Sequence, residues 1–237
     1  MRKFTLGFVL RQLPASLLYL TLGFVIGFYS GYFLFRLNKS FYESLLTVYS
    51  QRILLGVNFF GNNYALWYIL NNMIALMLII VAIILIIIYR SKTPTFLLSE
   101  KIKILQKYRP KMLLTGLYMI PVGVPMVNGF LVSFFITYTL LNFGFNRLVM
   151  ALFLILPHGM NELLALLFAS SLGLAYLKIL SPFILQGKWN VCTRTGKQLL
   201  GSRVTIFVVI LICILVIFGG LLEGYLSGII HRLSLPI

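Results

Sequence analysis

The amino-acid sequence predicts an all-α polytopic membrane protein with about five transmembrane helices, two of them broken near the middle. The prediction begins with composition: 60% of the 237 residues are hydrophobic, only 10% are charged, and the mean hydropathy is +1.01. A soluble domain is usually about 45–50% apolar and about 25% charged. The composition therefore excludes an ordinary cytosolic protein, a disordered chain and, despite a net charge of +16, a nucleic-acid binder. We treat residues 1–237 as a single membrane domain.

Long apolar runs define the predicted spans. A transmembrane helix needs about 20 predominantly apolar residues, and the runs at 13–35, 64–89 and 203–229 reach that length. The first run follows a basic N-terminus, but its length and the lack of a small-residue cleavage site favour an uncleaved helix over a signal peptide. Two further spans are predicted at 113–142 and 147–180.

The third and fourth apolar runs are too long for one straight crossing and too short for two. A helix of about 35 residues would measure roughly 50 Å, whereas the hydrocarbon core is about 30 Å thick. Each run has proline and glycine near its middle, so we expect each helix to break there. The predicted break residues are Pro121, Pro125, Gly129, Pro157 and Gly159.

The basic residues predict the orientation, because lysine and arginine accumulate in cytoplasmic loops. With five spans and the N-terminus inside, most of the 20 basic residues fall inside. The five that fall outside are Arg36, Lys39, Arg52, Arg147 and Arg232. We therefore expect a plasma-membrane protein with a cytoplasmic N-terminus and an external C-terminus.

Two connecting segments are predicted to form helices of their own. Outside the membrane, Ser40 to Glu43 fits a capping box and is followed by apolar residues at a spacing of four, which predicts an interfacial helix over about 41–55. Inside, Pro94 and Pro110 bracket a basic helix over about 94–109. Its basic residues are expected to contact anionic lipid headgroups, although a solvated cytoplasmic loop explains the same charges. They are Lys101, Lys103, Lys107, Arg109 and Lys111.

Polar residues inside the predicted spans are the candidate functional positions, because a charge near the centre of a bilayer costs about 2.5–3.5 kcal/mol. At about 1.5 Å of rise per residue, these residues reach similar depths, so we predict one intramembrane polar cluster. Its predicted members are Asn71, Asn72, Asn128, His158, Asn161, Glu162 and Glu223. We expect Asn128 and Glu223 to approach the segment 157–162, with His158 facing the interior of the bundle.

These polar residues do not make a complete catalytic or metal site. The chain has two histidines, no H-E-x-x-H motif, no G-x-S-x-G elbow and no glycine-rich phosphate loop. We therefore expect no enzyme activity, no metal and no cofactor. Two interpretations of the cluster remain open: hydrogen bonds that hold the spans together, or a proton or ion relay through His158, Glu162 and Glu223.

Several short segments give the chain a resemblance to the stage II sporulation protein M family. These segments are ILNNMIAL, PMVNGFLVSF, ILPHGMNELLALL and IFGGLLEGYLS, and the P-H-G-x-x-E element is the most specific of them. The matching positions, which lie within about 60–230, are Asn71 or Asn72, Asn128, Gly129, Pro157, His158, Gly159, Glu162 and Glu223. The resemblance implies a multi-pass membrane protein. The founding member of the family acts in forespore engulfment, where it helps to localise peptidoglycan-degrading partners.

The sequence thus predicts a non-enzymatic integral membrane protein that organises or anchors a membrane complex. The expected partners are the lipid bilayer and other membrane or envelope proteins; no nucleic acid is expected, and an oligomer is left open. The alternative is a small transporter or channel component that uses the polar cluster. A wet cluster favours the transporter, whereas a dry and packed cluster favours the organising protein.

Overall fold

The computed structural model describes residues 4–61, 63–92 and 103–232. Within these ranges the chain forms seven helices and no strand. The helices are α1 (Leu6–Leu10), α2 (Leu13–Leu37), α3 (Lys39–Phe59), α4 (Tyr64–Lys92), α5 (Lys103–Leu185), α6 (Trp189–Leu200) and α7 (Arg203–Arg232). Over the same ranges, five segments are long and apolar enough to cross a membrane, and we number them spans 1 to 5: Leu6–Leu37, Tyr64–Tyr89, Pro110–Phe153, Gly159–Leu185 and Arg203–Tyr225. The predicted all-α, five-span fold class is confirmed.

The chain divides into two compact units, and each unit contains part of every span. The first unit consists of Met1–Tyr19, Leu76–Pro125 and Leu166–Ile212. The second unit consists of Leu20–Ala75, Met126–Ala165 and Cys213–Ile237.

Spans 3 and 4 both belong to α5, which leaves helical geometry at Gly144, with φ 80° and ψ 175°. This backbone conformation is essentially restricted to glycine, because a Cβ would be strained there. The two halves of α5 meet where the Ser170 hydroxyl donates to the Pro121 carbonyl at 2.5 Å. Further from Gly144 on both sides, the side chains of Tyr118 and Ser181 are hydrogen-bonded. Within the first unit, the two halves therefore run antiparallel, side by side.

The predicted helix breaks are wrong, because α5 continues through every one of those residues: Pro121, Pro125, Gly129, Pro157 and Gly159. A tertiary contact explains the continuity at Pro125. In a helix the amide of residue 125 would donate to the carbonyl of Pro121, and Pro125 lacks that donor. Ser170 supplies the missing hydrogen bond from the neighbouring half of α5. A carbonyl freed inside a membrane must find such a partner, since no water replaces it.

Small residues bring α2 and α5 into close contact in the second unit. A Cβ added to Gly23 would overlap the backbone of Met126, and one added to Gly27 would overlap the backbone of Phe130. Gly129 makes the reciprocal approach to the backbone of α2. This spacing of four is the usual way in which transmembrane helices pack backbone against backbone. Gly129 therefore allows α5 to pack closely against α2 and does not break its helix.

The predicted interfacial helix at about 41–55 corresponds to α3, which is longer at both ends. Its N-cap is Asn38, whose side chain accepts a hydrogen bond from the Phe41 amide at 2.9 Å, so the predicted cap at Ser40 is wrong. Tyr42 is fully buried; its hydroxyl donates to the Phe134 carbonyl, and its ring stacks on the Phe134 ring with centroids 4.2 Å apart. Burial raises the pKa of Tyr42, so the hydroxyl remains a donor.

The predicted basic helix at about 94–109 lies largely outside the described part of the chain. Residues 93–102, including Lys101, are not described, and neither are the side chains of Lys103, Lys107 and Arg109. Lys111 is exposed. The helix that begins at Lys103 continues through Pro110, so the predicted stop at Pro110 is wrong. The missing donor of a single proline costs one backbone hydrogen bond, which a long helix tolerates.

Helix α6 was not predicted, because its basic residues were assigned to a loop. One face of α6 is buried, and Gly196 on this face lies against Ile84 of α4. Cys192 is also buried there, and burial raises the pKa of its thiol to about 12. Arg194 and Lys197 are exposed on the opposite face. Helix α6 is therefore amphipathic and packs against the spans of the first unit.

Candidate functional site

The candidate site is a group of polar side chains contributed by three spans in the second unit. Tyr68 and Asn72 lie on one face of α4, because residues four apart in a helix are neighbours. The Asn72 amide Nδ2 donates to Glu162 Oε1 of α5 at 2.5 Å. Glu223 comes from α7, and its carboxyl is hydrogen-bonded to the Tyr68 side chain. We call Tyr68, Asn72, Glu162 and Glu223 the carboxyl cluster.

Two glycines position Glu223 by letting α7 approach α4 closely. A Cβ added to Gly224 would lie 2.5 Å from the Ala65 Cβ, and one added to Gly220 would lie 2.4 Å from the Ile69 Cγ1. Neither contact leaves room for a side chain on these glycines. Because Gly220 and Gly224 flank Glu223 on α7, their close approach brings its carboxyl within reach of Tyr68.

The electrostatic feature of the cluster is the proximity of two acidic groups. The carboxyl groups of Glu162 and Glu223 are close enough to repel each other when both are charged. No described lysine or arginine side chain lies within ion-pair distance of Glu162; the salt bridge found among the described residues joins Lys39 to Glu43 at 3.7 Å. Glu162 is instead held by the neutral amide of Asn72.

The structure brings together three of the predicted cluster members: Asn72, Glu162 and Glu223. Glu223 does approach the segment 157–162, as expected. Asn128 and Asn161 are partly buried, and both have interaction partners. The backbone of His158 is helical, but its side chain lies outside the described part of the molecule, so its predicted orientation stays a prediction.

Asn71 does not belong to the cluster, which corrects the prediction. Its side chain is exposed, whereas Asn72 is partly buried and bonds Glu162. Consecutive residues on a helix point about 100° apart, so two adjacent asparagines cannot both face the same neighbouring helix.

Sequence reasoning missed a second polar group, which we call the hydroxyl cluster: Ser16, Ser170, Ser171 and the Pro121 carbonyl, all in the first unit. The Ser16 hydroxyl lies 3.0 Å from the Ser171 hydroxyl and 3.0 Å from the Ser170 hydroxyl. Ser16, Ser170 and Ser171 are fully buried or nearly so. The adjacent serines of the run FASSLG were the available signal, because small hydroxyl residues are enriched where transmembrane helices meet.

The chemistry of the carboxyl cluster is that of hydrogen bonding and protonation. In the described part of the chain, no group of three or more His, Cys, Asp or Glu side chains is positioned to hold a metal ion. The cluster links α4 to α5 and α4 to α7 through polar contacts. Its two carboxyl groups can also take up and release protons.

Comparison of the chain with protein-family models, with curated proteins and with solved structures finds no match. The class of protein is therefore defined by its own structure. It is a helical, multi-pass membrane protein with five candidate spans in its described residues and a polar cluster shared by three of them.

Proposed function

We propose that this chain is a non-enzymatic membrane protein that organises or anchors a membrane complex, as its resemblance to the stage II sporulation protein M family implies. The observation that carries the proposal is the use of intramembrane polar groups for contacts between helices. Asn72 bonds Glu162, Ser170 bonds Pro121, and the Tyr176 hydroxyl lies 2.7 Å from the Thr205 hydroxyl. Interhelical bonds of this kind hold neighbouring spans together within each unit. Spans held together in this way, with apolar outer faces, are suited to holding other proteins.

We further propose that the N-terminus is cytoplasmic and the C-terminus external, in a plasma membrane. The support comes from the basic residues, which are retained on the cytoplasmic side of membrane proteins. Exposed basic side chains of the first unit are Arg11, Lys111, Lys178, Lys188, Arg194, Lys197 and Arg203. The acidic residues whose side chains are described, Glu43, Glu162 and Glu223, all belong to the second unit.

A second candidate function is the movement of protons or cations through these spans, as in a small transporter or channel component. The specific observation in its favour is the pair Glu162 and Glu223, two nearby carboxyl groups inside the spans. Such residues are expensive to insert and commonly lie on ion or proton pathways. In this function the carboxyl groups would titrate, whereas in the organising function they need only hydrogen-bond.

Replacement of Glu162 distinguishes the two functions. Glu162→Gln keeps the size of the side chain and an oxygen that can accept from Asn72, but it cannot titrate. For an organising protein we expect Glu162→Gln to keep the thermal stability and the set of proteins that co-purify from native membranes. Glu162→Leu removes the acceptor and should destabilise the fold by about 1–2 kcal/mol. Glu43→Gln, an exposed change outside the spans, is the matched control.

Proton uptake provides the opposing outcome. The purified protein is reconstituted in vesicles that contain a pH-sensitive dye, and a pH gradient is imposed. If the unchanged protein carries protons and Glu162→Gln stops the flux while the fold and the co-purifying proteins are retained, the organising function is contradicted and the transporter is favoured.

A further inference from the structure

Helix α4 presents a continuous outer face that includes Asn71. Ile74 is 62% exposed and Leu78 is 57% exposed, and both lie on the same helical face as Asn71, because their spacing is three and then four residues. The Asn71 side chain is exposed as well. A carboxamide therefore lies on the same face as these exposed apolar side chains.

The position of Asn71 makes its exposure costly. Asn71 lies about 10 Å along α4 from Tyr64, the first residue of span 2, and thus within the hydrocarbon region. Its side chain has no hydrogen-bond partner among the residues that the structure describes. Lipid chains offer no partner, and an unsatisfied polar group in hydrocarbon is strongly unfavourable.

We propose that Asn71 is the centre of a self-association surface, and that α4 of a second copy of this chain covers it. Copies inserted with the same orientation can form a closed dimer only about a two-fold axis along the membrane normal. Such an axis brings residues at the same depth together, so the two α4 helices run parallel and Asn71 meets Asn71.

The chemistry of the amide fits this symmetric arrangement. Asparagine carries both an acceptor oxygen and two donor hydrogens, so two copies can bond reciprocally without any other group. Ile74 and Leu78 then pack against the same residues of the second copy, which buries the apolar stripe as in a coiled coil. The carboxyl cluster is not required for this surface, since its α4 residues, Tyr68 and Asn72, contact α5 and α7 of the same chain.

Disulfide trapping in native membranes tests the surface without altering Asn71. Ile74→Cys is expected to form a covalent dimer whose linked peptide pairs position 74 with position 74. The matched control is Ile210→Cys on α7, which is 54% exposed but lies on a different helix. The unsubstituted chain reports any contribution from Cys192 and Cys213. Equal cross-linking at positions 74 and 210, or cross-linking of position 74 to a different polypeptide, would overturn the proposal.

Dimer affinity, measured by energy transfer between labelled copies diluted in vesicles, tests the amide itself. Asn71→Leu removes the reciprocal bonds and should raise the dimer dissociation constant about tenfold, whereas Asn71→Gln keeps an amide and should raise it less. Circular dichroism and thermal unfolding of the monomer are expected to stay unchanged, because Asn71 bonds nothing described in its own chain. An unchanged dissociation constant in Asn71→Leu would contradict the proposal. If that variant does not fold, the Ile74→Cys cross-link decides.

Discussion

The hydrogen bond from Ser170 to the Pro121 carbonyl yields a prediction that two substitutions, at Ser170 and at Pro125, can test together. Pro125 leaves the Pro121 carbonyl without its helical donor, and the Ser170 hydroxyl supplies one at 2.5 Å. In Ser170→Ala the carbonyl loses this partner, and the Ser16 hydroxyl loses its contact at 3.0 Å. An unsatisfied buried polar group costs about 1–3 kcal/mol, and interhelical hydrogen bonds in membranes average about 0.6 kcal/mol. We expect Ser170→Ala to lower the free energy of unfolding by about 1–2 kcal/mol.

The substitution Pro125→Ala should largely remove this sensitivity. It restores an amide at position 125 that can donate to the Pro121 carbonyl within α5. In that background, Ser170→Ala loses only the contact with Ser16 and should cost about 0.5 kcal/mol. The double-mutant cycle should therefore show a coupling of about 1 kcal/mol between Ser170 and Pro125. Any loss of packing caused by Pro125→Ala alone cancels in the cycle.

Reversible unfolding in mixed micelles, followed by far-ultraviolet circular dichroism, provides the free energies. Ser171→Ala is the matched control, because the Ser171 hydroxyl donates at 2.6 Å to the Leu167 carbonyl of its own helix, which also accepts a backbone amide. It should cost less than about 0.6 kcal/mol. Additive effects of Ser170→Ala and Pro125→Ala, within about 0.3 kcal/mol, would refute our explanation of the unbroken helix.

Three further predictions concern the bend, the buried thiol and the orientation. Gly144→Ala should destabilise the protein by about 1–3 kcal/mol in the same unfolding assay, because the backbone conformation of Gly144 suits only glycine. The control is Gly116→Ala, at a helical glycine, which should be neutral or stabilising. Equal effects of the two substitutions would argue against a strained bend at Gly144. Cys192, whose pKa burial raises to about 12, should hold about a thousandfold less thiolate at pH 8 than an ordinary cysteine and should resist alkylation until the protein unfolds. Fast alkylation of the folded protein would contradict its buried position. For the orientation, Ser44→Cys should react with an impermeant maleimide added outside intact cells, whereas Gln198→Cys should react only after permeabilisation. The unsubstituted chain is the control. The reverse labelling pattern would invert the proposed topology.

The number of spans was predictable because hydropathy depends on composition, which the sequence gives directly. The proximity of Glu162 to Glu223 followed from depth, since residues at equal depth in a bundle can meet. The choice between Asn71 and Asn72 did not follow, because it depends on which side of α4 the other spans occupy. The prediction of helix breaks was wrong for a related reason. Whether Pro125 interrupts a helix depends on a hydrogen-bond donor from elsewhere in the fold.

Two other features were predicted only in part or not at all. Gly144 lies in the predicted connection between the spans at 113–142 and 147–180, so the place of the reversal was predicted; that a single glycine between two phenylalanines makes the turn was not. Helix α6 is short and rich in basic residues, and these residues fit a cytoplasmic loop equally well. Its amphipathic character becomes evident only when the buried face, with Cys192 and Gly196, is seen against the spans.

The close contact of α2 with α5 has a consequence for biosynthesis. The glycine face of α2 is complementary to backbone around Phe130, which leaves the ribosome roughly 100 residues after Gly27, or about 5–20 s later at 5–20 residues per second. Span 2 emerges during this interval. The glycine face of span 1 is therefore without its native partner until the third span arrives. The contact that buries this face is made late, by a segment from the middle of the chain, so the helices do not pack in the order of the sequence.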